Sequence, residues 1–163
     1  MRTARSKICD RVTLAGVVRR AQQQGKKVVL ANGCFDTLHV GHVRYLSGAK
    51  HEGDLLVVAV NSDSSVSELK GPGRPVLDEQ ARTLLVAALR DVDHVVLFSE
   101  TNVGALLEEL RPDVHAKGTD YTPESVPERE VSARLGIRVA IVGDPKNHST
   151  GAFFEGIRKA SHG

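Results

Sequence analysis

The segment VVLANGCFDTLHVGHVRYL, residues 28–46, indicates a strand followed by a glycine-containing turn and a helix. Its apolar start is continuous rather than alternating, which is typical of a strand buried on both faces of a sheet. Residues 43–53 have helical spacing and end in Gly53, a residue that often terminates helices. This order of elements predicts the first βα unit of a parallel α/β sheet.

Two histidines, His39 and His42, lie where the turn meets the helix. Residues at this spacing share one face of a helical turn. The residues leave two interpretations open: a cap on the helix end, or donors to a phosphate bound at the helix N-terminus. Gly41, between them, would let a ligand approach the backbone closely. The spacing also suits a metal, but no third or fourth ligand stands nearby, so a zinc site is not predicted.

Further short apolar runs repeat the pattern of strand followed by helix. Strands are predicted over 27–32, 55–61, 94–98, 113–118 and 137–143. Helices are predicted over 12–24, 43–53, 78–92, 102–113, 128–136 and 149–161. The pattern predicts a single α/β domain over 1–163, a five-stranded parallel sheet with helices on both faces and an N-terminal extension, 1–25, that carries the extra helix.

Composition and charge narrow the class of protein. The 163 residues suffice for one domain with one core, and a net charge of +2 with 4% aromatic residues gives no sign of a nucleic-acid partner. The polar start of the chain does not resemble a signal peptide, and no long apolar window predicts a membrane partner or span. Cys9 and Cys34 form no CxxC pair. We therefore expect a cytoplasmic enzyme or binding protein.

Charged residues lie near the predicted carboxyl ends of the strands, where parallel sheets bind ligands. Lys70, Arg74 and Arg82 surround the Gly/Pro-rich loop 70–76. They are either solvated charges or a clamp on a polyphosphate.

Carboxylates and hydroxyls follow the strands as well. Asp36, Asp63 and Asp120 are either turn formers or groups that face a hydroxyl or a metal ion. Ser149 and Thr150 are either ordinary caps of the last helix or part of a second anion site. At these positions the residue types alone do not choose between the two interpretations.

Known motifs discriminate further. The chain has no GxGxxG after its first strand, no GxxxxGK[ST] and no GxSxG, which disfavours a dinucleotide-binding domain, a P-loop enzyme and a serine hydrolase. The segment GCFDTLHVGH (33–42) resembles the HxGH signature of the nucleotidyltransferase superfamily. With AVNSD, LKG…RPV, KGTDY and a closing ST in that order, the chain from about 12 to about 160 resembles the adenylyltransferases of ADP-heptose synthesis. Thr119 stands where relatives often have glycine.

This resemblance implies a Rossmann-like (HUP-type) fold and a reaction between ATP and a sugar 1-phosphate. It implies catalytic roles for His39 and His42, which would hold the triphosphate, and for Lys70, which would close over the phosphates. The implied substrate-binding residues are Asp63, Arg74 and Arg82. The implied nucleotide-binding residues are Asn32, Gly33, Cys34, Phe35, Asp36, Gly41, Lys117, Gly118, Asp120, Tyr121, Ser149 and Thr150.

Cofactors and partners also follow from the resemblance. Mg²⁺ is expected with the nucleoside triphosphate, a homodimer is expected, and a separate sugar kinase is expected in the same pathway, since the chain resembles the stand-alone form without the kinase domain. Three alternatives remain: a CTP-dependent cytidylyltransferase acting on glycerol 3-phosphate or a similar polyol phosphate, a regulatory nucleotide-binding module without turnover, and a subunit that works only with a separate kinase.

Overall fold

The computed structural model describes residues 3–145 and 150–160, and its centre is a parallel sheet. The strands are β1 (Val28–Gly33), β2 (Leu55–Asn61), β3 (His94–Phe98), β4 (Val114–Gly118) and β5 (Arg138–Val142). They lie in the order β3-β2-β1-β4-β5, and every neighbouring pair is parallel. The direction of the order reverses between β1 and β4, and a crevice for ligands opens at such a point beyond the carboxyl ends.

Helices connect the strands. After a short 3₁₀ helix at Arg5–Lys7, the α-helices are α1 (Arg11–Gln23), α2 (Val40–His51), α3 (Asp63–Lys70), α4 (Glu79–Ala88), α5 (Gly104–Leu110), α6 (Arg129–Leu135) and α7 (Thr150–Ala160). Within the described residues, no helix is long and apolar enough to cross a bilayer.

Apolar side chains cover both faces of the sheet. Successive residues of a strand point to opposite faces. Val29 and Ala31 of β1 therefore pack in one cluster with α2 and α4, while Val28 and Leu30 pack in a second cluster with α1 and α5. This two-sided burial explains why the strand sequences are continuous apolar runs.

The predicted fold class is confirmed, and each predicted strand agrees with the observed one to within a residue at either end. Three helix boundaries differ by three residues or more, among them the end of α5, which lies at Leu110 rather than at residue 113. Helix α2 begins at Val40, earlier than predicted, because His39 caps it. Helix α4 ends at Ala88 because Leu89 already has extended backbone angles (φ −67°, ψ 135°).

Helix α3 was not predicted from the sequence. It begins after Ser62, whose Oγ accepts a hydrogen bond from the backbone N–H of Ser65 at 3.3 Å. Its sequence, DSSVSELK, is mostly polar, and only Ser65 and Val66 are buried. A helix with so narrow an apolar face leaves little periodic signal.

Candidate active site

A cavity of about 640 Å³ opens at the carboxyl edge of the sheet. Its wall takes residues from the segments that follow β1, β3, β4 and β5. The N-terminal end of α2 and the C-terminal end of α3 also contribute. It brings together these predicted residues: Asn32, Gly33, Cys34, Phe35, His39, Gly41, His42, Lys70, Lys117, Gly118, Asp120 and Tyr121.

Other predicted residues are placed differently. Four of them are not part of the cavity wall: Asp36, Asp63, Arg74 and Arg82. Ser149 lies outside the described residues. Thr150 is the first residue of α7, and its side chain lies outside the described part of the chain.

The histidine pair forms the N-terminus of α2. Nδ1 of His39 accepts a hydrogen bond from the backbone N–H of Gly41 at 3.1 Å, and Nδ1 of His42 accepts one from the N–H of His39 at 3.4 Å. The two rings stack with centroids 3.9 Å apart. Because each Nδ1 is an acceptor, a neutral imidazole here carries its proton on Nε2. The cap thus sets the tautomer that can donate to an anion, so the two interpretations of the pair are compatible.

Phe35 supports the loop that carries these histidines. Its side chain is buried, its backbone is left-handed (φ +47°), and its ring centroid lies 5.1 Å from that of His42. A Cβ at Gly33 would lie 3.1 Å from the Phe35 ring, so only glycine fits there without a shift. Phe35 therefore packs beneath the loop, and its contact with the nucleotide stays a prediction.

Lys70 is the last residue of α3, and its side chain is exposed on the cavity wall. The chain beyond it contains Gly71 and Gly73, with φ of +89° and +80°. A Cβ at either glycine would meet nothing within 4 Å, so the surroundings are open. Glycines at these positions allow backbone conformations that other residues rarely adopt, and closure of Lys70 over the phosphates, which the resemblance implies, stays a prediction.

Arg82 is completely buried and joins the loops beneath the cavity. Its Nη1 donates to the carbonyl oxygens of Cys34 at 2.6 Å and Asn61 at 2.7 Å, and its Nη2 donates to Oδ1 of Asp63 at 2.7 Å. Its Nε donates to the carbonyl of Leu77 at 2.9 Å. The guanidinium therefore ties the ends of β1 and β2 to helices α3 and α4, and direct contact with a substrate stays a prediction.

Asp36 and Arg74 form a second buried connection. The carboxylate of Asp36, with no exposed surface, accepts from Arg74 Nη1 and from the backbone N–H of Val76, both at 2.6 Å. Burial opposes its ionisation, but these two hydrogen bonds outweigh it and hold the pKa of Asp36 below its usual value. The guanidinium of Arg74 also lies 4.3 Å from the ring centroid of Phe154 in α7. The pair anchors the loop after α3 to the loop after β1.

Lys117 and Glu128 form a buried ion pair at the opposite side of the cavity from α2. Lys117 Nζ lies 3.8 Å from Glu128 Oε2 and 4.4 Å from the ring centroid of Tyr121. Burial lowers the pKa of Lys117, against the opposing effect of Glu128. Sequence reasoning missed Glu128 as a site residue, because it read this position only as the start of the predicted helix 128–136; in the structure Glu128 directly precedes α6.

His115 of β4, which was also missed from the sequence, holds the side chain of Asn32. His115 is completely buried, and its Nε2 lies 3.0 Å from Asn32 Oδ1. Burial and the charge of Lys117 lower the pKa of His115 to about 3, so the imidazole is neutral at ordinary pH. The sequence feature that could have identified His115 is its position as a histidine inside an apolar strand.

Four more wall residues, which were missed from the sequence, hold neighbouring segments together. Tyr45 Oη donates to the carbonyl of Ala116 at 2.8 Å and so fixes α2 to β4. Arg44 pairs with Asp144 at 3.3 Å, and the Thr119 hydroxyl donates to the carbonyl of Asp144 at 2.7 Å. Arg44 and Tyr45 directly follow the HxGH segment, and Asp144 follows β5, which is where ligand contacts are expected.

Comparisons with known proteins agree with this geometry. A family model described as cytidylyltransferase-like matches residues 30–146. The bifunctional protein HldE of Syntrophotalea carbinolica is 46% identical over 152 residues, which cover 93% of this chain and 31% of the relative. The protein of the same name from Geobacter metallireducens is 47% identical over 147 residues, 90% of this chain and 30% of the relative. The chain spans about a third of the length of these relatives.

Two solved structures resemble this chain in fold. The lipopolysaccharide core biosynthesis protein from Thermoplasma volcanium is 30% identical, with a TM-score of 0.64 and coverage of 75% of this chain and 100% of that one. Pantoate-beta-alanine ligase from Francisella tularensis shares the fold, with a TM-score of 0.60 at 15% identity and coverage of 88% and 68%. From the matched residues, the sheet order and the histidine pair at the start of α2, the chain belongs to the cytidylyltransferase-like family of nucleotidyltransferases.

Proposed function

We propose that the chain transfers the adenylyl group of ATP to the phosphate of a sugar 1-phosphate, with a heptose 1-phosphate as the preferred acceptor. A phosphate oxygen of the acceptor attacks the α-phosphorus of ATP, and the bond from that phosphorus to the oxygen bridging to the β-phosphorus breaks. The products are an ADP-sugar and pyrophosphate. Because both reactants are phosphates, no protein nucleophile is needed, and catalysis consists of alignment and charge stabilisation.

The observation that carries this proposal is the arrangement of His39 and His42. Both line the cavity, and both use Nδ1 to accept from backbone N–H groups, which leaves the proton on Nε2. The same helix end contributes the partial positive charge of its backbone N–H groups. Such donors act most strongly on the charge that develops in a transition state, and removing one typically slows an enzyme by about 10²–10³.

Cations and Mg²⁺ would complete the neutralisation of the triphosphate. Lys70 and Arg44 supply positive charge on the wall. The described residues contain no group of three or more ligating side chains that would form a metal site of the protein's own, although Asp120 and Asp144 lie on the wall. This donor set fits an Mg²⁺ ion that arrives with the nucleotide, since Mg²⁺ keeps several waters and takes phosphate oxygens as ligands. When bound, the ion neutralises phosphate charge.

We infer that the nucleoside binds near the ends of β4 and β5, where the resemblance implies nucleotide-binding residues. A Cβ at Gly118 would lie 2.8 Å from the side-chain atom Asp120 Oδ1, and one at Gly143 would lie 3.3 Å from the backbone atom Tyr45 Cα, so neighbouring groups approach both glycines closely in this part of the wall. The resemblance of the chain to adenylyltransferases of ADP-heptose synthesis supports ATP as the donor. The likeness to the lipopolysaccharide core biosynthesis protein of Thermoplasma volcanium supports a sugar acceptor, since the core of a lipopolysaccharide is built from sugars.

A second candidate is a cytidylyltransferase that joins CTP to glycerol 3-phosphate or a similar polyol phosphate. The description of the matching family model favours it. The histidine pair would serve this reaction equally well, because the chemistry at the α-phosphorus is the same. Two further alternatives are a regulatory nucleotide-binding module that does not turn over substrate and a subunit that is active only with a separate sugar kinase.

The experiment that separates these functions is pyrophosphate release by the purified protein with Mg²⁺. Each of four nucleoside triphosphates is paired with heptose, hexose and glycerol phosphates. We expect release with ATP and a heptose 1-phosphate. Release with CTP and glycerol 3-phosphate would replace the substrate and keep the mechanism. Nucleotide binding without release from any pair would overturn the proposal, and a kinase that co-purifies and restores release would identify the partner-dependent form.

A further inference from the structure

The cavity has a second wall on the face of the sheet opposite to the histidine pair. Along β1, Val29 and Ala31 pack on the α2 face, so Asn32 points to the other face, with Val28 and Leu30. Its side-chain bond to His115 of β4 agrees with this placement. Lys117 lies two residues beyond His115 in the same strand and so on the same face. We call Asn32, Lys117 and Glu128, which all line the cavity, the Glu128 wall.

Glu128 presents an acceptor that the surrounding residues do not fill. The residue is 4% exposed, and its Oε1 accepts from the backbone N–H of Val103 at 3.2 Å. Its Oε2 is buried and has no hydrogen-bond partner among the described residues, because Lys117 Nζ, its ion-pair partner, is 3.8 Å away. Buried polar atoms are rarely left without a partner, so this oxygen points to a missing donor.

Asn32 supplies the complementary donor. His115 Nδ1 is buried without a hydrogen-bond partner in the described part of the chain, whereas Nε2 faces Asn32 Oδ1 at 3.0 Å. A buried N–H without an acceptor is the less favourable alternative, so the proton lies on Nε2 and donates to Asn32 Oδ1. The Asn32 side-chain NH₂ group is then turned away from His115, on a residue that lines the cavity.

We propose that the Glu128 wall binds hydroxyl groups of the acceptor sugar and makes Glu128 a specificity-determining residue, an inference that rests on the proposed function. A sugar hydroxyl donates one hydrogen bond and accepts others, which matches an unfilled carboxylate oxygen beside an amide NH₂ and an ammonium group. A phosphate is disfavoured at this position, because Glu128 carries negative charge. The phosphates instead have the histidine pair and Lys70 on the other side of the cavity.

The test compares steady-state kinetics of the wild type and Glu128→Gln with ATP and a heptose 1-phosphate. The exchange keeps the shape of the side chain but replaces a charged acceptor by an amide. We expect the KM for the sugar phosphate to rise by about 10-fold or more, as expected when a hydrogen bond to a charged group is weakened, while the KM for ATP changes by less than about 2-fold. Glu130→Gln, an exposed residue on the following helix, is the matched control and should leave both KM values unchanged.

A second variant keeps the test valid if Glu128→Gln alone fails to fold. Glu128→Gln leaves Lys117 without its ion-pair partner, so the double variant Lys117→Gln/Glu128→Gln removes both charges together. A melting temperature is recorded for each variant. The double variant, if folded, should show the same selective rise in the KM for the sugar phosphate. A folded variant whose KM for the sugar phosphate is unchanged overturns the inference. A folded variant whose KM for ATP rises instead also overturns it, and would indicate that the Glu128 wall binds the adenine base of ATP.

Measurements of heptose 1-phosphate binding distinguish a failure of this inference from a failure of the proposed function. If the wild type releases no pyrophosphate, adenylyl transfer is wrong, and calorimetric titration of a heptose 1-phosphate into wild type and Glu128→Gln still tests the wall. Weaker binding by the variant supports hydroxyl recognition there, and equal or absent binding by both overturns it. The deoxy analogue that lacks the recognised hydroxyl should bind the wild type as weakly as the complete sugar phosphate binds the variant.

Discussion

His39 and His42 show how a single side chain can serve both fold and chemistry. Their Nδ1 atoms accept from backbone N–H groups that would otherwise lack partners at the start of α2. That acceptance fixes the proton on Nε2 and removes the competing tautomer. A histidine therefore offers at this position what an ordinary capping residue does not: a cap together with a donor for an anion.

Replacing the donor while keeping the cap tests this dual role. In His39→Asn, the amide oxygen can still cap α2, because asparagine is among the preferred N-cap residues, but the imidazole N–H is lost. We expect the melting temperature to change little and kcat for pyrophosphate release to fall by about 10²–10³. His51→Asn, at the other end of the same helix, is the control and should keep the wild-type rate. An unchanged kcat in His39→Asn would contradict the assigned role.

His115 makes the stability of the fold depend on pH. Its pKa is lowered by burial to about 3, below the usual value of 6.5, so between these values the unfolded chain binds a proton that the folded chain does not. Stability therefore falls on acidification through this range, by up to about 1.4 kcal/mol per pH unit. We expect denaturant titrations to show that the wild type loses about 2 kcal/mol more than His115→Leu between pH 7 and pH 5. Equal losses would contradict a buried, neutral imidazole.

At the scale of elements, Arg82 connects α4 to the loops that form the floor of the cavity. Its donors reach two carbonyl oxygens at the ends of β1 and β2 and one carboxylate at the start of α3. Each of these acceptors belongs to a different segment of the chain. The buried guanidinium therefore holds together the ends of two strands and the start of a helix through a single side chain.

Removing this guanidinium should destabilise all of the segments that it joins beneath the cavity. In Arg82→Met, the carbonyl oxygens of Cys34, Asn61 and Leu77 lose their donor, and we expect the free energy of unfolding to fall by about 3–5 kcal/mol. Arg19→Met, an exposed change on α1, should shift it by less than about 0.5 kcal/mol. Denaturant titrations measure both. A loss of activity in Arg82→Met at unchanged stability would instead indicate direct contact with a substrate.

The loop after α3 is expected to depend on its glycines for movement of Lys70. Gly71 has φ +89°, a conformation that an alanine adopts only with strain. Gly71→Ala should therefore lower kcat and stability together, because the backbone that positions Lys70 changes. Gly16→Ala, inside α1 where a Cβ would meet nothing within 4 Å, should raise stability by about 0.5–1 kcal/mol with unchanged kcat. An equal response of the two variants in melting and rate measurements would contradict a special role for Gly71.

At the scale of the whole molecule, the sequence predicted the strands of the sheet, and most of the residues predicted around the HxGH segment line the cavity. The strands are continuous valine-rich runs that leave a strong signal, and the HxGH segment places two imidazoles next to a helix end. Helix α3 was missed because its sequence is polar, and the strand order was not predicted because it depends on contacts between distant segments. These contacts decide which strand ends meet.

The opposite side of the cavity could not be predicted for a related reason. Glu128 lies in a loop, and its meaning depends on Lys117, a neighbour in space from another segment. In the same way, the resemblance implies that Arg82 and Asp63 bind the substrate, while in the structure their side chains form an ion pair with each other. Whether a charged residue faces a ligand or another part of the fold depends on packing, which local sequence does not record.

The central claim, direct adenylyl transfer to a sugar phosphate, is tested most directly by following an isotope through the reaction. Heptose 1-phosphate labelled with ¹⁸O in its phosphate is incubated with ATP, Mg²⁺ and the protein, and the label is located in the products by ³¹P NMR. We predict an ADP-sugar that carries ¹⁸O in its bridging position and pyrophosphate without label. Pyrophosphate that carries the label, or nucleotide that is hydrolysed without forming an ADP-sugar, would contradict direct transfer.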